Sequence, residues 1–203
     1  MRLLIDTDAF CKLAASNVLD DALGLLGVTP VDCGRLPALP HMLSRGRLYN
    51  QLGVEICEEI RPLVAAFSLA PQPGDEWLDK LASVSGIDPG EALLFAAAAE
   101  GGLVVVSGDK RALGALKDVE GFAHALSGRI VVLEAILIAL CDHLGTEEVR
   151  RRVARIKNLD TAFRVCFSPE NPDPVSALQS YFRHLEDQVR PLNLWAPRGG
   201  NTR

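Results

Sequence analysis

The chain has 203 residues, of which 48% are hydrophobic, and a formal net charge of −5. It is long enough to bury a substantial core, but it has no apolar run of about 18 residues that could span a membrane. Its five cysteines are scattered without a CxxC pair, which argues against a structural zinc site. Reduced thiols, with no secretory signal ahead of Asp6, predict a cytoplasmic protein.

The charge is unevenly distributed along the chain. Residues 145–203 contain ten Lys/Arg and seven Asp/Glu, a balance of +3, whereas residues 1–144 contain eleven and nineteen, a balance of −8. This excludes a protein held to nucleic acid by bulk charge alone. Acids gathered in a pocket, by contrast, would suit a divalent cation.

Short apolar segments alternate with helical patterns through the first half of the chain. Arg2–Ile5 predicts a strand, and Asp6-Thr7-Asp8 follows at its carboxyl end. We expect helices over 9–15, 17–26, 42–52, 54–66 and 75–83, with short strands within 28–40 and 67–73.

The central segment predicts a helix, a glycine turn, a buried strand and a second helix start. Asp88 is placed to cap the first helix and Glu91 to complete a capping box. A Gly-Gly pair ends this helix, and Leu103–Val106 is a β-branched run typical of a strand buried on both faces. Asp109 follows at the carboxyl end of that strand, where open α/β sheets place their ligands.

The last third continues this alternation and then changes character. A strand is expected over 129–133 and an apolar helix over 134–144, so the pattern predicts an α/β fold with a parallel sheet covered by helices. Residues 145–203 predict a helical C-terminal extension, with a basic helix to 157, an amphipathic helix over 175–189 and a flexible tail from Pro191.

Three acids are candidates for a shared site. Asp6 follows the first strand, Asp109 follows the strand that ends at Val106, and Glu91 lies at the start of the helix before that strand. Taken singly, Asp6, Glu91 and Asp109 each have an ordinary explanation as a helix-capping residue. If the strands containing Leu4 and Val105 are neighbours, however, all three lie at one edge of the sheet. Clustered carboxylates repel unless a cation or proton neutralises them, and oxygen-only clusters suit Mg²⁺ or Mn²⁺.

The segments LLIDTDAF (3–10), GEALLFAAA (90–98) and VVVSGDKRA (104–112) together resemble the PIN domain family over about residues 1–140. The resemblance implies a PIN-like three-layer α/β/α domain over 1–144. It also implies a metal-dependent ribonuclease, often the toxin of a toxin–antitoxin pair.

Site residues follow from the resemblance one by one. Asp6, Glu91 and Asp109 would be the catalytic metal-binding acids, and Asp8 adds a further acid beside them. Ser107 would be the small hydroxyl residue that accompanies Asp109.

Other expected substrate contacts come from basic side chains. Lys110 is placed to approach the scissile phosphate, and Arg151 and Arg155 lie on a basic helix that can contact RNA phosphates or an acidic partner. Many family members carry a further acid in the region after the first strand, but residues 33–52 of this chain contain none. A fourth acid shortly after Asp109 is also missing.

Two alternatives stay open. Asp6-Thr7-Asp8 after a strand resembles the DxD motif of haloacid-dehalogenase-like phosphatases, with Asp6 as nucleophile and Asp8 as acid/base. A PIN-like module that binds RNA or protein without catalysis is the second. The helix over 175–189 can pack on the body or form a homodimer contact.

Overall fold

Five short parallel strands form the sheet of the computed structural model, which describes residues 1–197. The strands lie in the order β3-β2-β1-β4-β5. Their bounds are β1 Leu3–Ile5, β2 Cys33–Arg35, β3 Ser68–Leu69, β4 Val104–Val106 and β5 Ile130–Val131. All three residues of β1 are buried, as expected for a central strand covered on both faces.

Thirteen α-helices within residues 1–197 surround this sheet. They are α1 Thr7–Ala15, α2 Leu19–Leu25, α3 Leu39–Met42, α4 Arg47–Leu52, α5 Val54–Ile60, α6 Asp75–Leu81, α7 Pro89–Gly101, α8 Lys110–Leu116, α9 Phe122–Ala125, α10 Leu133–Leu144, α11 Thr146–Val153, α12 Thr161–Cys166 and α13 Pro174–Gln188. The predicted α/β class with a parallel sheet is confirmed, and the arrangement is compatible with three layers. No helix in this described part of the chain is both long and apolar enough to cross a membrane.

Strand register brings the ends of β1 and β4 level with each other. Leu4 pairs with Val105 and Ile5 with Val106. The Asp6 N–H then donates to the Val106 carbonyl at 2.9 Å, which ties the first residue after β1 to the end of β4. The neighbouring strands on which the acid cluster depends are therefore present.

Helix α7 is built as its sequence predicts. The Asp88 carboxylate accepts from the Glu91 N–H at 2.9 Å, and the Glu91 carboxylate accepts from the Asp88 N–H at 2.7 Å. Gly102 ends the helix in the left-handed conformation, with φ of 60°. Leucine, phenylalanine and alanine side chains of the helix are buried, and the small alanines let it pack closely between neighbouring elements.

Two predicted helices are divided in the structure. The expected helix over 42–52 is replaced by α3 and α4, separated near Gly46, whose φ is 95°. The helix expected over 54–66 ends as α5 at Ile60 and continues as a 3-10 helix over Arg61–Ala66. Pro62 explains the change, since it has no N–H for an α-helical hydrogen bond.

The C-terminal residues share the hydrophobic core of the sheet region. Helices α11 and α13 pack against α10, and α12, which the sequence did not predict, buries Phe163 and Cys166. The expectation of a loose end from Pro191 is wrong for the stretch to Trp195. There Leu194 pairs with Ile130, and the Trp195 N–H donates to the Ile130 carbonyl at 2.7 Å. The predicted flexibility of residues 198–203 lies outside the described residues.

Candidate acidic cleft

A cleft of about 620 Å³ opens at the carboxyl edge of β1 and β4. We distinguish two walls by their residues: the first carries Asp6, Glu91 and Asp109, and the second carries Asp8 and Asp160. With Asp88, six carboxylates in all line the cleft. The cleft thus collects acids from both the sheet region and the C-terminal section.

Asp6 occupies the N-cap position of α1 but makes no capping hydrogen bond with its side chain. The backbone N–H groups of Thr7 and Asp8 at the start of α1 still lower the pKa of Asp6, but other effects outweigh them. Burial, followed by repulsion from Asp8, raises the pKa of Asp6 from its ordinary value of 3.8 to about 6. The Asp6 carboxyl therefore keeps its proton to a higher pH than an exposed aspartate does, unless a bound cation displaces it.

Glu91 and Asp109 meet on the same wall. Glu91 is only 7% exposed, and burial is the main cause that raises its pKa to about 7. The charges of Asp88 and Asp109, and a side-chain hydrogen bond between Glu91 and Asp109, raise it further, whereas the Asp88 N–H lowers it. We call Asp6, Glu91 and Asp109 the three-acid group. The structure places all three in the one cleft.

Asp109 has a second, structural role at the start of α8. Its Oδ1 accepts from the N–H groups of Arg111 at 2.8 Å and Ala112 at 3.0 Å. The other oxygen, Oδ2, lies 3.5 Å from the Arg111 guanidinium. Asp109 therefore caps α8 through Oδ1 and is also one of the residues that line the cleft.

Asp8 and Asp160 share a buried lysine, Lys12, which does not itself line the cleft. Lys12 Nζ lies 2.6 Å from Asp8 Oδ2 and 2.5 Å from Asp160 Oδ2. Burial opposes the charge of Lys12, but the two carboxylates outweigh it and raise its pKa. Burial likewise opposes the charge of Asp160, yet Lys12 and the N–H groups at the start of α12 lower the pKa of Asp160 overall. We call Asp8, Lys12 and Asp160 the lysine bridge.

Lys110 and Ser107 lie near the cleft, and each already contacts another group of the protein. Lys110 Nζ lies 2.6 Å from the buried Glu134 carboxylate, and it sits 5.4 Å from the centre of the Tyr181 ring on α13. Ser107 is buried, and its Oγ accepts a long hydrogen bond of 3.4 Å from the Asp109 N–H. Of these two, only Lys110 contributes to the lining of the cleft.

Arg151 and Arg155, the other two expected substrate contacts, do not line the cleft. Arg151 is exposed and pairs with Glu148 at 2.7 Å within α11. Arg155 makes a two-point ion pair with Glu59 in α5, with distances of 2.9 and 2.5 Å. The Arg155–Glu59 ion pair links the C-terminal section to the sheet region.

The donor chemistry of the three-acid group fits a hard divalent cation, because all its ligands are carboxylate oxygens. Thr7, which also lines the cleft, has a buried Oγ1 with no hydrogen-bond partner among residues 1–197. Over the same residues, no group of three or more His, Cys, Asp or Glu side chains is already arranged so that it could hold a metal ion. Binding by this group would therefore require its side chains to turn toward a common point.

Gly108 allows the loop after β4 to approach the first strand's loop. A Cβ at this position would meet Leu133 Cδ1 at 3.2 Å and Asp8 Oδ2 at 3.4 Å. The close approach brings the two acid-bearing loops together, so a larger residue here would push them apart.

Lys12, Asp88 and Asp160 were not predicted as parts of the site. The spacing of Asp8 and Lys12 signals an ion pair on one helix face, and Asp160 before Thr161 has the form of a helix cap. Nothing in the sequence indicates that the two acids converge on the same lysine, because 148 residues separate Lys12 from Asp160.

No family model, curated protein or solved structure matches the chain. Its fold and site define an α/β protein with an acidic cleft at the carboxyl edge of an open parallel sheet.

Proposed function

We propose that this protein is a PIN-like, metal-dependent ribonuclease that hydrolyses phosphodiester bonds, with Asp6, Glu91 and Asp109 as its metal-binding acids. The observation that carries the proposal is the convergence of these three acids, from three separate segments, in one cleft beside β1 and β4. The PIN-like sequence motifs support RNA as the substrate.

We expect the three-acid group to release protons when it binds a cation. Burial and neighbouring acids raise the pKa of Asp6 to about 6 and that of Glu91 to about 7, so a cation that binds them displaces protons. Mg²⁺ or Mn²⁺, once bound, would polarise a phosphoryl oxygen and lower the pKa of a bound water. Asp109 is fixed by the N–H groups of α8 and Glu91 by the Asp88 N–H, so both carboxylates are oriented by backbone contacts.

The test is cleavage of a labelled, unstructured single-stranded RNA with Mn²⁺, comparing the parent protein with Glu91→Gln. Glutamine also serves in a capping box, so the substitution removes the charge while leaving α7 capped. Glu120→Gln is the matched control, because Glu120 is exposed and does not line the cleft. We expect the parent and Glu120→Gln to cleave the RNA and Glu91→Gln not to. In EDTA, none of the three proteins should cleave it.

Binding of the ion is measured separately from cleavage. Mn²⁺ at about 100 times its dissociation constant would stabilise the folded protein by about 2.7 kcal/mol, which a thermal melt detects. Cleavage that survives Glu91→Gln would point to a contaminating nuclease. Mn²⁺ binding without cleavage would favour the alternative of a PIN-like binding module.

The phosphatase alternative is less well supported by the geometry. It needs Asp8 as an acid/base, but the Asp8 carboxylate is 2.6 Å from Lys12. It also needs the serine and the Gly-Asp pair on separate strands, whereas Ser107 and Asp109 lie in one loop after β4. Turnover of small phosphoesters that depends on Asp8 would establish it. An antitoxin partner, a homodimer and a cytoplasmic location stay predictions.

A further inference from the structure

Lys12 is unusual because its ammonium is buried between two acids at the cleft. The residue is 8% exposed, and its Nζ reaches Asp8 and Asp160 at 2.6 and 2.5 Å. A buried ammonium is unfavourable unless it is paired, so these contacts hold its charge in place. Both acids line the same cleft as the three-acid group.

Both carboxylate oxygens of Asp160 accept hydrogen bonds, which orients the side chain in the lysine bridge. One oxygen accepts from Lys12, while the other accepts from the N–H groups of Ala162 at 2.7 Å and Phe163 at 3.3 Å. Asp8 and Lys12 are four residues apart on α1, so their side chains lie on the same helix face. The ammonium is thus held on one side by its own helix and on the other by the start of α12.

We propose that the Lys12 ammonium is a resident cation of the cleft, so that the protein takes up one divalent ion at the three-acid group and none between Asp8 and Asp160. The inference rests on the proposed metal-dependent function. It assigns Lys12 as a positioning residue, which determines how many ions bind without itself contacting the substrate.

The charges explain why a single ion is expected. A second divalent ion between Asp8 and Asp160 would compete with the ammonium for the same two carboxylate oxygens. The two cations would also repel each other at close range. With Lys12 in place, Asp8 and Asp160 are already paired with a cation, whereas Asp6 and Glu91 have no lysine or arginine partner among residues 1–197 and stay available to the divalent ion.

The experiment counts Mn²⁺ ions by calorimetric titration of the full chain at neutral pH. We expect one ion for the parent and two for Lys12→Met, which has a similar shape without the charge. The double variant Lys12→Met/Asp160→Asn should return to one, because asparagine retains the α12 cap but removes a ligand. Lys117→Met is the matched control, since it breaks a lysine–aspartate pair away from the cleft.

The outcomes separate this inference from the proposed function. Two ions in the parent, or a single ion in Lys12→Met, would overturn the role of Lys12 while leaving a metal-dependent enzyme. No ion in the parent would overturn both proposals. If Lys12→Met does not fold, Lys12→Gln carries the same expectation of two ions, and the parent count of one or two still decides.

Discussion

The two walls of the cleft use the same type of side chain in opposite electrostatic states. On one wall, Asp6 and Glu91 are buried among other acids and have raised pKa values. On the other wall, Asp160 is also largely buried, but Lys12 lies 2.5 Å away. This cation and the N–H groups of α12 lower the pKa of Asp160. Burial disfavours the charged form of all three carboxyls, and only Asp160, which has a cation beside it, ends with a lowered pKa. The comparison indicates which wall is free to accept a cation.

Removing the charge of Glu91 should have the largest effect. On the proposed function, Glu91→Gln lowers the rate of RNA cleavage by about 100-fold or more, the range seen when one electrostatic contact to a transition state is lost. The measurement is the initial cleavage rate with Mn²⁺ against that of Glu120→Gln. A rate within a few-fold of the parent would show that the three-acid wall does not hold the reacting centre.

Removing the lysine should make the two walls alike. Lys12→Met leaves Asp8 and Asp160 without their cation, and because both are partly solvated we expect a loss of about 2 kcal/mol in the free energy of unfolding. Urea denaturation in EDTA measures it. Asp160→Asn in the Lys12→Met background should recover part of the loss. Unchanged stability in Lys12→Met would mean that the lysine bridge contributes little.

The pH dependence of stability should reveal the protonated wall. Asp6 and Glu91 bind protons more tightly in the folded protein, with pKa values of about 6 and 7, than at their ordinary values of 3.8 and 4.5. As pH rises from about 4.5 to 7, the unfolded chain releases these protons first, so the free energy of unfolding falls, by about 4 kcal/mol in total.

Urea denaturation between these pH values in EDTA measures the slope. The Asp6→Asn/Glu91→Gln variant should show a flatter profile, and Mn²⁺ should restore stability at neutral pH in the parent. The lowered pKa of Asp160 acts in the other direction and only in more acidic solution, below its ordinary value of 3.8. A rise in stability over the stated window would contradict the assignment of raised pKa values.

The sequence is enough to predict the wall of Asp6, Glu91 and Asp109, whereas in the lysine bridge it points only to Asp8. Asp6, Glu91 and Asp109 follow short strands or open a helix, so the local pattern and the rule that parallel strands end at one sheet edge suffice to bring them together. Asp160 reaches Lys12 only because α12 packs its buried Phe163 and Cys166 into the core, which is a tertiary contact without a local signal. The same limit applies to Leu194 beside β5, where strand-like pairing depends on a distant partner.

The smallest expected effect separates the two roles of Asp109. Asp109→Asn keeps an oxygen for the Arg111 and Ala112 N–H groups, so its metal-free stability should match or exceed that of the parent. Asp109→Ala removes the cap and should cost about 1 kcal/mol. Both variants should weaken Mn²⁺ binding equally, because both lose the carboxylate charge. If Asp109→Asn binds Mn²⁺ as the parent does, this residue belongs to the helix start alone, and the three-acid group loses a member.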